Sequence, residues 1–272
     1  MTEAERVTDM VSLLDIEIID KDIYRGYNEK TAAEWPALFG GQVVAQALRA
    51  AAYTVNEERL PHSLHGYFLR PGVADIPVLL QVSRDRDGRS FSARHVVAIQ
   101  HGEVIFSMSA SFHVREPGAT FVGELPEPSI DWEDLEEAPL YNRFEATLRI
   151  RPFPRRGPAD GVRERFPARV WVRVEGDLPD DPVVHACALA YISDLGSGFA
   201  ETTVPGLPQG GPSFDHALWF HDQVRADDWL RMEMWPLKAG SARGLYEGSV
   251  HDARGRLAAM LTQETLLRPP RE

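Results

Sequence analysis

Ser63–Gly72 reads SLHGYFLRPG, and 150 positions further on Ser213–Asp222 reads SFDHALWFHD. Laid over one another, the two segments put Ser63 above Ser213. About the same offset sets SFSARHVV (90–97) over GSARGLYE (240–247). Ahead of each segment lies an apolar helix signal. FGGQVVAQALRAAAYTV (39–55) carries apolar residues at helical spacing behind a double glycine, and VVHACALAYISDL (183–195) is apolar almost throughout. Strand-like runs follow both: DIPVLLQVSRDRDG, FSARHVVAIQ and HGEVIFSMSASFHVRE in the first half, WLRMEMWPL, SARGLYEGSV and RLAAMLTQETLLR in the second. The turns HG and DG make an antiparallel meander the natural reading. A buried helix followed by a meander therefore occurs twice. A sheet that wraps around such a helix sequesters it, and two curved sheets that join edge to edge hide their exposed strands. The expected class is α+β, with two tandem repeats of this kind.

At 272 residues, 43% of them hydrophobic, the chain can bury a large core. The opening VSLLDIEIID, followed by DIYRGYN, reads as a short helix leading into a strand. The middle is different in character. Glu124 to Glu137 holds seven acids and no base, whereas Arg143 to Arg173 holds nine arginines against Glu145, Asp160 and Glu164, and prolines are dense in both. This composition predicts a crossover. The expected organisation is an N-terminal repeat over 1–118, a crossover over 119–160 and a C-terminal repeat over 161–272. The two charge blocks are expected to pair with each other or to lie solvated; the alternative is that some of the arginines meet phosphates.

A net charge of −12 argues against a nucleic-acid partner, which would require clustered Lys and Arg. The single cysteine, Cys187, has no internal disulfide partner, and MTEAERVTDM lacks the basic start and apolar stretch of a secretory signal. No apolar run approaches the roughly 18 residues of a membrane span. The nine histidines show no ligand spacing with Cys or carboxylates, so no metal is expected. These features predict a cytoplasmic protein.

The runs FGGQVVAQAL, LHGYFLRPG, LRIRPF, YISDL, SFDHALWFH and LTQETLLR, in that order over nearly the whole chain, resemble acyl-CoA thioesterase II. The resemblance implies the double-hotdog fold, homodimers or homotetramers, and no cofactor. It implies an acyl-CoA substrate of medium to long chain length, hydrolysed to free acid and CoA by direct attack of water. It further implies a catalytic set of Asp194 at the end of the second helix, Ser213 before the Asp-His pair, and Gln263 on the last strand. The family more often has Thr at the position of Ser213 and Asn after its S-D-L; here the hydroxyl is kept and the methyl that restrains its rotamer is lost.

Each of these residues also has a plainer reading. Asp194 closes an apolar helix, where the macrodipole opposes a carboxylate, so it needs a compensating partner or a chemical role. Ser213 after Gly-Gly-Pro is by itself a turn or capping hydroxyl, and Gln263 is an amide in an alternating strand. Gly40 and Gly41 either permit a tight turn into the helix or let its free N–H groups approach a thioester oxygen. Arg155 and Arg156 in the crossover are expected to meet the CoA phosphates. A Ser213–His216 hydrolase pair is disfavoured, because residues three apart on a strand face opposite ways and no G-x-S-x-G elbow is present. His216 and His221 are expected to be structural. Two further readings stand beside hydrolysis: a non-catalytic acyl-CoA or acyl-carrier binding protein, and a hydratase, for which no Asp/His loop is found. Opposite the catalytic set, the repeat places Ser63, about Tyr53 and about Ser111, so one productive site per chain is expected.

Overall fold

The computed structural model describes residues 7–28, 37–123, 131–138, 144, 147–154 and 168–268. The N-terminal part runs α1 (Met10–Leu14), β1 (Glu17–Asp20), β2 (Ile23–Gly26), α2 (Gly40–Ala52), β3 (Arg59–Phe68), β4 (Val78–Asp87), β5 (Phe91–Gln100) and β6 (Glu103–Val114). The C-terminal part runs β7 (Leu148–Pro152), β8 (Arg169–Val174), α3 (Pro182–Ser193), β9 (Asp215–Phe220), β10 (Leu230–Gly240), β11 (Arg243–Asp252) and β12 (Leu257–Leu266). All twelve strands form one antiparallel sheet in the order β1-β2-β4-β5-β6-β3-β9-β12-β11-β10-β8-β7. Read outward from the middle, the order is the same in both directions. This is the double hotdog.

The seam between the halves falls on the two segments quoted at the outset. β3 pairs with β9 from Ser63↔Trp219 to Tyr67↔Asp215. Gly66 pairs with His216, its own counterpart 150 positions on, so a pseudo-two-fold axis passes between them. Register shifts recur at matching places, between Arg84 and Arg86 on β4 and between Pro236 and Lys238 on β10. Such bulges bend a strand and raise its twist, which is how each sheet curls around its helix.

Both helices are buried on nearly every side. Asp181 caps α3 by accepting from the Val183 N–H, with Pro182 at the first helical position. On α2, Gln46 donates to the carbonyls of Leu13 and Tyr27, and Gln42 donates to Asn28 Oδ1 at 2.7 Å, which ties the helix to α1 and to the segment after β2. The helices lie antiparallel against each other. Arg49 near the end of α2 reaches Asp181 at 3.5 Å, while at the other end a Cβ on Gly41 would stand 2.5 Å from the Tyr191 carbonyl oxygen.

The stretch expected as crossover also builds structure, since β7 lies within 119–160 and pairs with β8 as the outermost strand. Its described arginines, Arg149 and Arg151, engage their neighbours, and the Arg149–Glu137 pair joins the two charge blocks. Arg149 meets Glu137 at 3.2 Å and Glu175 at 3.0 Å, and Arg151 lies over the rings of Trp132 and Trp229. Arg155 and Arg156 lie outside the described residues.

Two predictions follow from the packing. Alanine at a helical glycine ordinarily gains about 0.5–1 kcal/mol. At Gly41 the new methyl meets a backbone carbonyl that cannot step aside, so Gly41→Ala should instead cost roughly 1–3 kcal/mol in denaturant unfolding. A stabilised variant would show that the helices do not meet here. The second concerns His251, buried on β11 with no hydrogen-bond partner among the described residues. Burial, with the Arg231 guanidinium adding to it, pushes its imidazole down to about 4 from 6.5. A His depressed in the folded state contributes stability that is present above pH 6.5 and lost as pH falls toward 4, up to about 3 kcal/mol. His251→Phe should flatten the stability profile in that window; an unchanged slope would acquit His251.

Candidate active site

Four element ends converge beside the seam. Asp194 follows the last turn of α3 as its C-cap, and Ser213 precedes β9, bridged to Thr265 of β12. Gln263 lies near the end of β12, and the start of α2 reaches Asp194 from the other half. A Cβ on Gly40 would fall 2.6 Å from Asp194 Oδ2 and 2.9 Å from the Phe68 ring. Glycine is therefore required for the close approach itself, at Gly40 as at Gly41. The N-terminus of one helix meets the C-terminus of the other at the carboxylate, which gives Asp194 the compensating partner that its position demands.

The structure brings Asp194, Ser213 and Gln263 together. Gln263 Nε2 donates to Asp194 Oδ1 at 2.9 Å and also to Ser213 Oγ, in a short contact. A carboxylate only accepts, so the amide must present its nitrogen to Asp194 and its oxygen the other way. That oxygen faces His216 Nδ1 at 2.6 Å, which makes Nδ1 the donor. On the far side of the ring, His216 Nε2 meets Ser193 Oγ at 2.8 Å. The chain Ser193–His216–Gln263–Asp194 is buried almost end to end: His216 is wholly inaccessible, and Gln263 and Ser193 are each 1% exposed. Both nitrogens of His216 are engaged by groups other than Ser213, so the structure gives no Ser–His hydrolase pair.

Asp215 holds the framework. Its Oδ1 accepts from the Glu264 N–H at 2.8 Å, and its Oδ2 meets His65 Nε2 across the seam at 3.3 Å. Two neighbours escape the sequence reading. His216 was expected to be scaffold alone, yet it touches Gln263 directly. Tyr246, the cross-strand partner of Gln263, is buried, and its phenol is held well above its ordinary value by that burial first and then by the carboxylates of Asp194 and Asp215. Periodicity marks Tyr246 only as an inward residue of β11, so nothing local in the sequence singles it out. Among the described residues no cluster of His, Cys, Asp or Glu is arranged to hold a metal ion.

A family model described as the acyl-CoA thioesterase N-terminal domain matches residues 31–113, and one described as the C-terminal domain matches residues 119–267. Human acyl-coenzyme A thioesterase 8 is 35% identical over 95% of this chain and 88% of its own length. Acyl-CoA thioesterase 2 of Haemophilus influenzae is 33% identical over 96% of this chain and 98% of its own. The crystal structure of an acyl-CoA thioesterase II from Mycobacterium marinum superposes with a TM-score of 0.78 at 40% identity, covering 96% of this chain and 97% of that one. By sequence over both halves and by fold, this chain belongs to the acyl-CoA thioesterase II family.

Proposed function

We propose that the protein hydrolyses acyl-CoA to free acid and CoA by direct attack of water, with Asp194 as general base. The observation that carries this reading is the shared hydrogen bonding of Asp194, Ser213 and Gln263 beside an uncapped helix start. Water between the carboxylate and the Ser213 hydroxyl gives up its proton to Asp194 as its oxygen bonds to the thioester carbon and the carbonyl opens to an oxyanion. The oxyanion then collapses, the C–S bond breaks, and the departing thiolate takes the proton from Asp194 to leave as the thiol. Both N–H bonds of Gln263 are committed to Asp194 and Ser213, so the amide positions these two groups and does not hold the water itself. His216 is a positioning residue in turn, because its Nδ1–H prevents the amide from flipping. Phe39 at the α2 N-cap contributes no side-chain hydrogen bond, which leaves the first-turn N–H groups at Gly40 and Gly41 as the donors for the developing oxyanion. Phe39 and Phe68 beside the glycines offer apolar walls to a medium- to long-chain acyl group. Arg155 and Arg156 remain the proposed phosphate contacts, since Arg149 and Arg151 are engaged elsewhere. No cofactor enters this chemistry. We place the enzyme in the cytoplasm as a homodimer or homotetramer of double hotdogs.

A colorimetric thiol-release assay tests the activity, and the protein's own cysteine does not disturb it. Cys187 is buried, with its thiol pushed up to about 12 by desolvation, so it should react only after unfolding. Asp194→Asn should lower kcat by about 10²- to 10⁴-fold, while Ser213→Thr should retain activity that Ser213→Ala loses. His216→Ala should lower kcat with a smaller change in KM, a split that loss of stability alone does not produce. Near-full turnover in Asp194→Asn would remove the base. Acyl-CoA binding without thiol release by the unmodified protein would favour a non-catalytic binding role.

A further inference from the structure

A cavity of about 960 Å³ opens at the N-terminal end of α3, away from Asp194, Ser213 and Gln263. It opens beside the place onto which the pseudo-two-fold axis carries the active site. The candidate active site is framed by the start of α2 (Gly40), the end of β3 (Phe68), the approach to β9 (Ser213) and the end of β12 (Gln263). Exchanging the two halves turns these into the start of α3, the end of β9, the start of β3 and the end of β6. The cavity is lined by Pro182, Phe220, His62 and His113, one from each of those four ends.

We propose that this cavity is a second acyl-CoA site, which binds the thioester without hydrolysing it. The proposal rests on the reading of the first site as an acyl-CoA hydrolase. At the second site the catalytic groups are missing. The C-cap of α2 is Tyr53, where α3 has Asp194. Ser63 stands where the hydroxyl would be, and neither it nor Tyr53 lines the cavity, which opens beside them. Val96 lies 150 positions before Tyr246, and since Tyr246 pairs with Gln263 and Val96 with Met108, the place of the amide is taken by Met108. The strand register thus places Met108 there, three residues before the Ser111 of the direct repeat alignment. With neither carboxylate nor amide, a water beside the thioester has no acceptor for its proton.

The rim suits the ligand. At the rim, Arg115 and Arg254 have no ion-pair partner among the described residues, whereas Arg225 and Arg256 are held by Asp227 and Asp252. Two free guanidinium groups can meet phosphates. Asp222 and Asp228 also line the cavity, so the frame of the site, more than its net charge, selects the ligand. The volume lies within the roughly 300–1,000 Å³ of small-molecule sites.

Titration calorimetry with the S-octyl thioether analogue of octanoyl-CoA tests the proposal. The unmodified protein should bind two equivalents per chain. Ala186→Trp, which fills the cavity from α3, should bind one and keep its kcat on octanoyl-CoA within about twofold. Should that tryptophan compromise folding, the exposed pair Arg115→Glu and Arg254→Glu carries the same test, expected to weaken the second equivalent by about tenfold or more, as charge reversal at a phosphate contact does. One equivalent in a fully active enzyme, or two undiminished equivalents in both variants, overturns the second site. Two equivalents in a protein that hydrolyses no acyl-CoA leaves the second site standing and overturns the hydrolase reading instead.

Discussion

Two helix ends of opposite polarity meet at the middle of this molecule, and most of its other features follow from how closely they meet. The start of α2 carries partial positive charge and the end of α3 partial negative charge, to which Asp194 adds a full one. Alone, the carboxylate would be repelled by its own helix. Against α2 it is stabilised by something on the order of 0.3–2 kcal/mol, the more so because the contact is partly buried. The distance is set by Gly40 and Gly41, whose absent side chains let the Tyr191 carbonyl and the Asp194 carboxylate approach. The wrapped sheets then hold both helices in place. Because β3 and β9 meet at a single register, the sheet also aligns the ends of the helices.

Inside that frame the polar groups are organised as a chain. Burying an amide or an imidazole is costly unless each donor and acceptor finds a partner. Gln263 and His216 meet this condition through one another: the ring's Nδ1 supplies the amide oxygen, and the amide nitrogen supplies Asp194 and Ser213. Reversing the amide would set its oxygen against a carboxylate and leave the ring nitrogen facing an N–H. The donor–acceptor direction of the bonds from His216 through Gln263 to Asp194 is thereby fixed, and the orientation of the carboxylate with it.

Much of this was legible in the amino-acid sequence. The duplicated pattern of buried helix and meander gave the class, and the likeness of SFDHALWFH and LTQETLLR to a family gave Asp194, Ser213 and Gln263, which the fold brings into contact. Other features depend on tertiary register, which a single sequence does not display. That the two quoted segments pair with each other could not be read from their similarity, since similar strands need not be neighbours. His216 alternates like any strand residue, and only the position of Gln263 across from it reveals its second contact. The LRIRP run was legible as a motif and not as the outermost strand, because prolines and charge dominate its surroundings.

The symmetric strand order also bears on how the molecule assembles. Within each half, the meander strands pair with close neighbours in sequence, whereas the seam joins residues about 150 positions apart, as in the contact of His65 with Asp215. Loop-closure entropy delays contacts of that separation, so each half is set to collapse around its own helix before the seam zips. Until it does, Asp194 lacks the α2 terminus supplied by the other half. Recovery of turnover on refolding is thus bound to the slowest and most distant contact in the chain, and a species with both hotdogs formed but unjoined would have native-like secondary structure and no activity.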